Sequence, residues 1–231
     1  MYAHVTRKHF LRLSAAWGIA LPLAMLPPGR RRALAAAQTA GSVAKVKGTA
    51  LLLRQDQQII LQGGEEVAVG DVVTTLAESR LRIALADGSQ LNLGELTRMT
   101  IAQFSFAPET LSRAAAFDLK SGLLQAITAK AAGGSSFIIR TGNTVAATRA
   151  TDWIVEANTA ETSVYVLEGK VDVAESALGF RSLPSLAQDK AMLLSAGQFT
   201  TIGKISLGAT LGPKPADTAR LEKVKAGLAW D

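Results

Sequence analysis

Arg149, Asp152 and Trp153 fall within the stretch TGNTVAATRATDWIVEA, Thr141–Ala157. An arginine, a carboxylate and an indole at this spacing suit a recognition spot, because arginine and tryptophan are favoured at interface hot spots. These three are the candidate partner-binding residues. The same residues also suit a bend between two strands. There Asp152 accepts backbone N–H bonds, Arg149 pairs with it, and Trp153 faces the core in step with Val155. The bend is the reading carried forward.

Catalytic company for this cluster is missing. The chain has no cysteine, and its two histidines, His4 and His9, both lie within the first 37 residues. This removes Ser-His-Asp and Cys-His catalysis from the remainder, along with the usual zinc sites and any disulfide framework. Asp71 follows a glycine and Asp87 precedes one, so both are expected to satisfy turn backbone. Glycoside hydrolysis needs two acids on facing walls of a cleft, and nothing in the spacing suggests such a pair. No D-x-D-x-D-G calcium loop occurs. AAGGSS (Ala131–Ser136) lacks the lysine of a phosphate loop and reads as a connector. Aromatic residues are too sparse for a stacking ladder on sugars or single strands. The expectation is no enzyme, no cofactor and no metal.

The elements that must position the cluster begin after a leader. The net charge of +6 belongs to residues 1–37, which hold Arg7, Lys8, Arg12, Arg30, Arg31 and Arg32 and no acid. The remainder is neutral, which argues against nucleic acid as a partner. TRKHFLRL, the apolar run Leu13–Leu26 and Ala35-Ala36-Ala37 read as an export signal cleaved after Ala37. The run is shorter than the roughly 20 residues of a membrane-spanning helix. Lys8 stands where a twin-arginine motif has its second arginine, so that route and the general secretory route both remain open. The expected location is periplasmic or secreted, with no transmembrane span in the mature chain.

From Val43 the apolar pattern has a period of two. SRLRIALADGSQLNLG is a hairpin: Leu81, Ile83 and Leu85 precede Asp87-Gly88, and Leu91 and Leu93 follow. Turns are also expected at Gly63-Gly64, Gly70-Asp71, Gly142-Asn143 and Glu168-Gly169. Short strands recur every 8–12 residues, which indicates an all-β domain. FDLKSGLLQAITAKAAG reads either as a short helix or as two strands around Gly122. GFRSLPSLAQDK (Gly179–Lys190) reads as a loop. Asp217 can cap a C-terminal helix with Leu221, Val224 and Leu228 on one face. Such a tail is expected to pack on its own domain, with partner binding as the alternative.

Four stretches carry a resemblance. GSVAKVKGTALLLR (Gly41–Arg54), VAVGDVVTTLAESRLRIALADGSQLNLG (Val67–Gly94), FIIRTGNTVAATRATDWIVEA (Phe137–Ala157) and SVYVLEGKVDV (Ser163–Val173) with SAGQFTTI resemble the FecR-domain family. That family is named for the envelope regulator of iron-citrate uptake. The resemblance implies an extracytoplasmic all-β binding or sensing domain, a β-sandwich or solenoid-like stack of hairpins, without a catalytic centre. Ala150 stands where the family usually has glycine, which puts the turn geometry in question. Regulatory members carry a cytoplasmic segment and a membrane span ahead of this domain, so this chain is expected to act in trans.

The expected organisation is an export signal at 1–37, a FecR-like β-domain at 41–205, and a linker with a C-terminal helix at 206–231. The expected partner is an envelope protein. A small ligand is the alternative partner, and a periplasmic scaffold that pairs through exposed strand edges is the alternative function.

Overall fold

A computed structural model describes residues 38–148, 150–175, 191–203 and 212–230. The expected leader, Arg149 and the expected loop at Gly179–Lys190 lie outside the described residues. The described chain is all-β with one short C-terminal helix.

The strands pair in two ladders that share one strand. The first runs β4 (Glu66–Ala68), β1 (Thr39–Lys47), β6 (Arg80–Leu85), β7 (Gln90–Leu93), β9 (Ser112–Ile127), β12 (Asp152–Ala157), β13 (Glu161–Glu168), β16 (Gln198–Gly203) and β17 (Lys214–Pro215). The second runs β3 (Gln57–Ile60), β2 (Ala50–Arg54), β5 (Val72–Thr75), β8 (Arg98–Ala107), β9 again, β10 (Ser136–Arg140), β11 (Thr144–Thr148), β14 (Lys170–Glu175) and β15 (Met192–Ser195). The segment left open between helix and strand is therefore β9, bent at Gly122. Residues before the bend pair with β8 and β10, and residues from it onward pair with β7 and β12.

This bend also explains a parallel pairing, β9 with β10, where the other pairings among the described residues are antiparallel. Parallel neighbours need a crossover connection. Here the second half of β9 is part of that crossover, since the chain passes through the first ladder before returning as β10 beside residues 114–118.

The inner faces meet in one apolar core. The β6–β7 hairpin pairs Leu81 with Leu93 and Ile83 with Leu91, and all four are fully buried. Leu52, Val73, Met99, Ile101 and Phe117 meet them from the second ladder, and Phe137, Trp153, Val155, Val164 and Val166 extend the cluster. Each such side chain contributes about 1.5–3 kcal/mol on burial. In β8 the register shifts between Ile101 and Gln103, which moves the inward phase from Ile101 to Phe104.

Buried charges pin the turns. Asp71 accepts Arg54 Nε at 2.7 Å, Arg54 Nη2 at 2.6 Å and the backbone N–H of Ala68 at 2.7 Å. Arg54 is held in its charged form by the Asp71 bond, against partial desolvation. Asp87 caps its own turn through the N–H and hydroxyl of Ser89, at 3.0 and 2.7 Å. It also receives Arg113 Nη1 at 2.5 Å, with both side chains fully buried. Turn chemistry at these two aspartates is as expected, but the arginine partners were not foreseen.

Helix α1 (Thr218–Ala226) starts at Asp217, whose carboxylate accepts the N–H of Ala219 at 3.1 Å. Lys223 and Lys225 in the last turn suit the helix dipole. Val224 and Leu228, with Leu221 beside them, pack on Ile154 and Tyr165 of the first ladder. The tail packs on its own domain.

Candidate functional site

The bend between β11 and β12 is built from threonines. The N–H of Thr151 donates to Thr128 Oγ1 at 2.6 Å, and the N–H and hydroxyl of Thr128 return to the carbonyl of Thr151 at 2.9 and 3.0 Å. The hydroxyls of Thr148 and Thr151 bond to each other, and both lie within reach of the Lys170 carbonyl, at 2.9 and 3.1 Å. The tightest point is the facing turn. Gly169 has φ +85, and a Cβ there would sit 2.8 Å from the carbonyl oxygen of Ala150. The glycine this bend needs is Gly169, across the gap from Ala150.

Strand alternation then separates the expected cluster. Trp153 is fully buried in the core, and its Nε1 makes no hydrogen bond among the described residues. Asp152 points to the opposite face. The expectation that backbone N–H groups hold Asp152 needs correction: it accepts Gln125 Nε2 at 2.8 Å, from the neighbouring strand β9. Desolvation pushes the Asp152 carboxyl up from its ordinary value. The Gln125 bond opposes this, Glu168 adds to it, and Lys225 of α1 opposes it. Arg149 lies outside the described residues.

On this outer face one row of paired residues crosses eight strands. Lys45 pairs with Arg82, Arg82 with Asn92, Asn92 with Gln125, Gln125 with Ile154, Ile154 with Tyr165, Tyr165 with Phe199, and Phe199 with Lys214. The row changes character along its length. At one end Arg82 Nε donates to Asn92 Oδ1 at 2.8 Å, and Asn92 Nδ2 donates to Gln125 Oε1 at 3.0 Å. Together with the Gln125–Asp152 bond, this makes a continuous side-chain chain over four strands. At the other end Tyr165 and Phe199 stack with centroids 5.6 Å apart.

The C-terminal segment lies on this row and matches its change of character. Val224 and Leu228 cover Ile154 and Tyr165. Gly227 sits against Leu123, and the Trp230 ring lies 5.0 Å from Lys45 Nζ and 4.8 Å from Arg82 Cζ. Cations over an indole face are attracted by the ring quadrupole. Arg220 donates to Ser163 Oγ at 3.1 Å and lies 3.7 Å from Glu156 and 4.0 Å from Glu161. Burial pushes the Tyr165 phenol up, against the pull of nearby Arg220. An open cleft of about 720 Å³ runs between α1 and the sheet, walled by Glu95, Glu156, Arg220 and Lys223. A second cleft of about 570 Å³ adjoins the threonine bend, walled by Ser136, Thr148, Thr151, Lys170 and Asp172.

The arrangement offers recognition chemistry: an apolar strip, a hydrogen-bonded polar strip and an acidic rim. Gln125, Asn92 and Arg82 were missed in the sequence. Their signal was present in the alternating polar positions of QLNL and LLQAI, but only cross-strand register lines them up.

Residues 71–172 match the family model described as FecR protein. No curated protein matches the chain. Two crystal structures of a candidate anti-sigma factor from Parabacteroides distasonis are similar to it, each at 18% identity, with TM-scores of 0.48 and 0.49. Each match covers 65% of this chain and 62% of that one, so this chain spans under two thirds of the length it is compared with. The threonine bend, outward Asp152 and inward Trp153 all fall in the matched segment, and the resemblance carried by the sequence motifs is shown there as a FecR match over residues 71–172.

Proposed function

We propose that this chain is an exported, non-catalytic FecR-like binding or sensing module of the cell envelope, and that it binds a protein partner in a regulatory pathway. The FecR match over residues 71–172 is the observation that carries this reading. The deployment of charge supports it. Asp71, Asp87 and Asp118 are each tied to an arginine as part of the framework, and Asp152 is tied to Gln125. Export rests on the leader pattern in residues 1–37. A small polar ligand is the alternative occupant, and the cleft beside the threonine bend falls in the size range of ligand pockets.

The test uses residues 38–231 as bait in an envelope extract. The expected result is one protein retained reproducibly. No reproducible retention, together with an unchanged cellular phenotype for Arg149→Glu, overturns the reading.

One observation favours a scaffold as the second reading. β3 is exposed along its whole length, pairs only with β2 among the described residues, and carries no charge in its sequence QQII. Such an edge is a template for another strand. If Ile60→Lys abolishes retention while Arg149→Glu does not, the scaffold reading replaces the first.

A further inference from the structure

We infer that the outer face of the first ladder is the surface that receives the partner, and that α1 is a built-in plug which the partner's own amphipathic helix displaces. This rests on the binding-module reading above and names its surface. The partner helix carries a basic residue followed by aliphatic residues at the spacing of Arg220, Leu221, Val224 and Leu228.

The surface beneath α1 is a finished apolar strip. Ile154 and Tyr165 are fully buried, and Leu123, Leu167 and Phe199 pack around them. This cluster is separate from the main core cluster, so removing its cover leaves the main core intact. The cover is light. α1 has nine residues, too few to hold a helix in isolation. Its ion pairs to Glu156 and Glu161 are long and partly exposed, and surface pairs of this kind hold weakly. The fit is also incomplete, since the cleft of about 720 Å³ stays open along the helix.

Charge defines the occupant. The sheet side of the cleft presents Glu95 and Glu156, with Glu161 beside them, and the helix side presents Arg220 and Lys223. Arg220 bridges the two by reaching Ser163 and both of its glutamates. A helix that replaces α1 must therefore be basic on one flank and aliphatic on the seam. This is helix-in-groove recognition, with the chain's own helix as the template.

The absence of cysteine makes the plug easy to lock. A Cβ at Gly227, the C-cap of α1, would lie 2.8 Å from Leu123 Cδ2, so the two positions adjoin and Leu123→Cys with Gly227→Cys is the pair to oxidise for a crosslink between the helix end and β9. Leu221→Asp with Val224→Asp loosens the plug. The probe is a fluorescent peptide of residues 212–230, titrated into the full chain and followed by anisotropy. The loosened chain is expected to bind it saturably. The wild-type chain is expected to bind at least about tenfold more weakly, because only its open fraction is competent. The oxidised crosslinked chain is expected not to bind, and reduction restores binding.

The inference is overturned if the loosened chain, still folded by circular dichroism, fails to bind. It is equally overturned if the crosslinked chain binds like the loosened one. An envelope partner retained equally by locked and loosened chains overturns the plug and leaves the binding-module reading standing. The expected peptide results with no envelope partner retained do the reverse.

Discussion

Gly122 is where β9 leaves one ladder for the other, and Gly122→Ala tests whether that corner is held by contact. Its φ of +100 is one that L side chains rarely adopt, and an added Cβ would lie 2.4 Å from both Cα and Oγ1 of Thr97. Thr97 has no room to withdraw. It is fully buried, its N–H donates to Thr75 Oγ1 at 3.0 Å, and its hydroxyl accepts the N–H of Leu123 at 3.0 Å. Two costs add. A left-handed backbone costs alanine about 1–2 kcal/mol, and displacing packed neighbours costs about 1–3 kcal/mol. For a chain of this size each kcal/mol moves Tm by about 2–4 °C, so the expected loss is on the order of 10 °C. Gly64→Ala is the control, since Gly64 has φ +91 with nothing within 4 Å of its added Cβ. It bears the backbone cost alone. Thermal melts followed by circular dichroism compare the two variants. If they melt together, contact with Thr97 does not hold the corner.

Two further perturbations separate structural charge from surface charge. Asp87→Ala removes the carboxylate from the buried Arg113 guanidinium, which keeps its bonds to Ser89 and Ala129, and is expected to cost about 3–5 kcal/mol. Arg113→Met combined with Asp87→Ser should recover most of this in denaturant melts, and an additive double variant refutes the coupling. Asp152 has a carboxyl raised mainly by burial, so the folded chain binds its proton more tightly than the unfolded chain. The resulting stability is fully present below the unfolded value of about 3.9 and is lost as pH rises through the folded value. Asp152→Asn keeps an acceptor for Gln125. It is expected to melt above wild type at about pH 7 and level with it at about pH 3, and a gap that does not change with pH refutes burial as the cause.

The β6–β7 hairpin was legible because two local signals agree. Leu81, Ile83, Leu91 and Leu93 alternate, and Asp87-Gly88 sets the turn. The helix was legible through Asp217 and the spacing of Leu221, Val224 and Leu228. β9 was not, because Leu123, Leu124 and Ile127 have helical spacing. The half that holds them takes its strand character from β7 and β12, which lie about 30 positions away on either side in sequence. Arg113 was invisible for the same reason. Nothing near it in sequence announces that it reaches Asp87, 26 positions away. The inward Trp153, in step with Val155, was legible from strand alternation, whereas the partner of Asp152 was not, because Gln125 lies 27 positions away on β9.

The outer row extends beyond the matched segment at both ends. Residues 71–172 supply Arg82, Asn92, Gln125, Ile154 and Tyr165. Lys45 comes from before that segment, and Phe199, Val224 and Trp230 come from after it. Cut at the family boundaries, the segment would lose β1 from one flank of the sheet and β16 from the other, and Ile154 and Tyr165 would be bared to solvent. A bared apolar strip of that kind invites association. In this chain the cover is encoded in cis, nine helical residues beyond the last strand. The flanking sequence thus completes the outer row that the matched segment begins, and if α1 is the plug inferred above, variants of Leu221, Val224 and Leu228 will change what the row admits while leaving residues 71–172 unaltered.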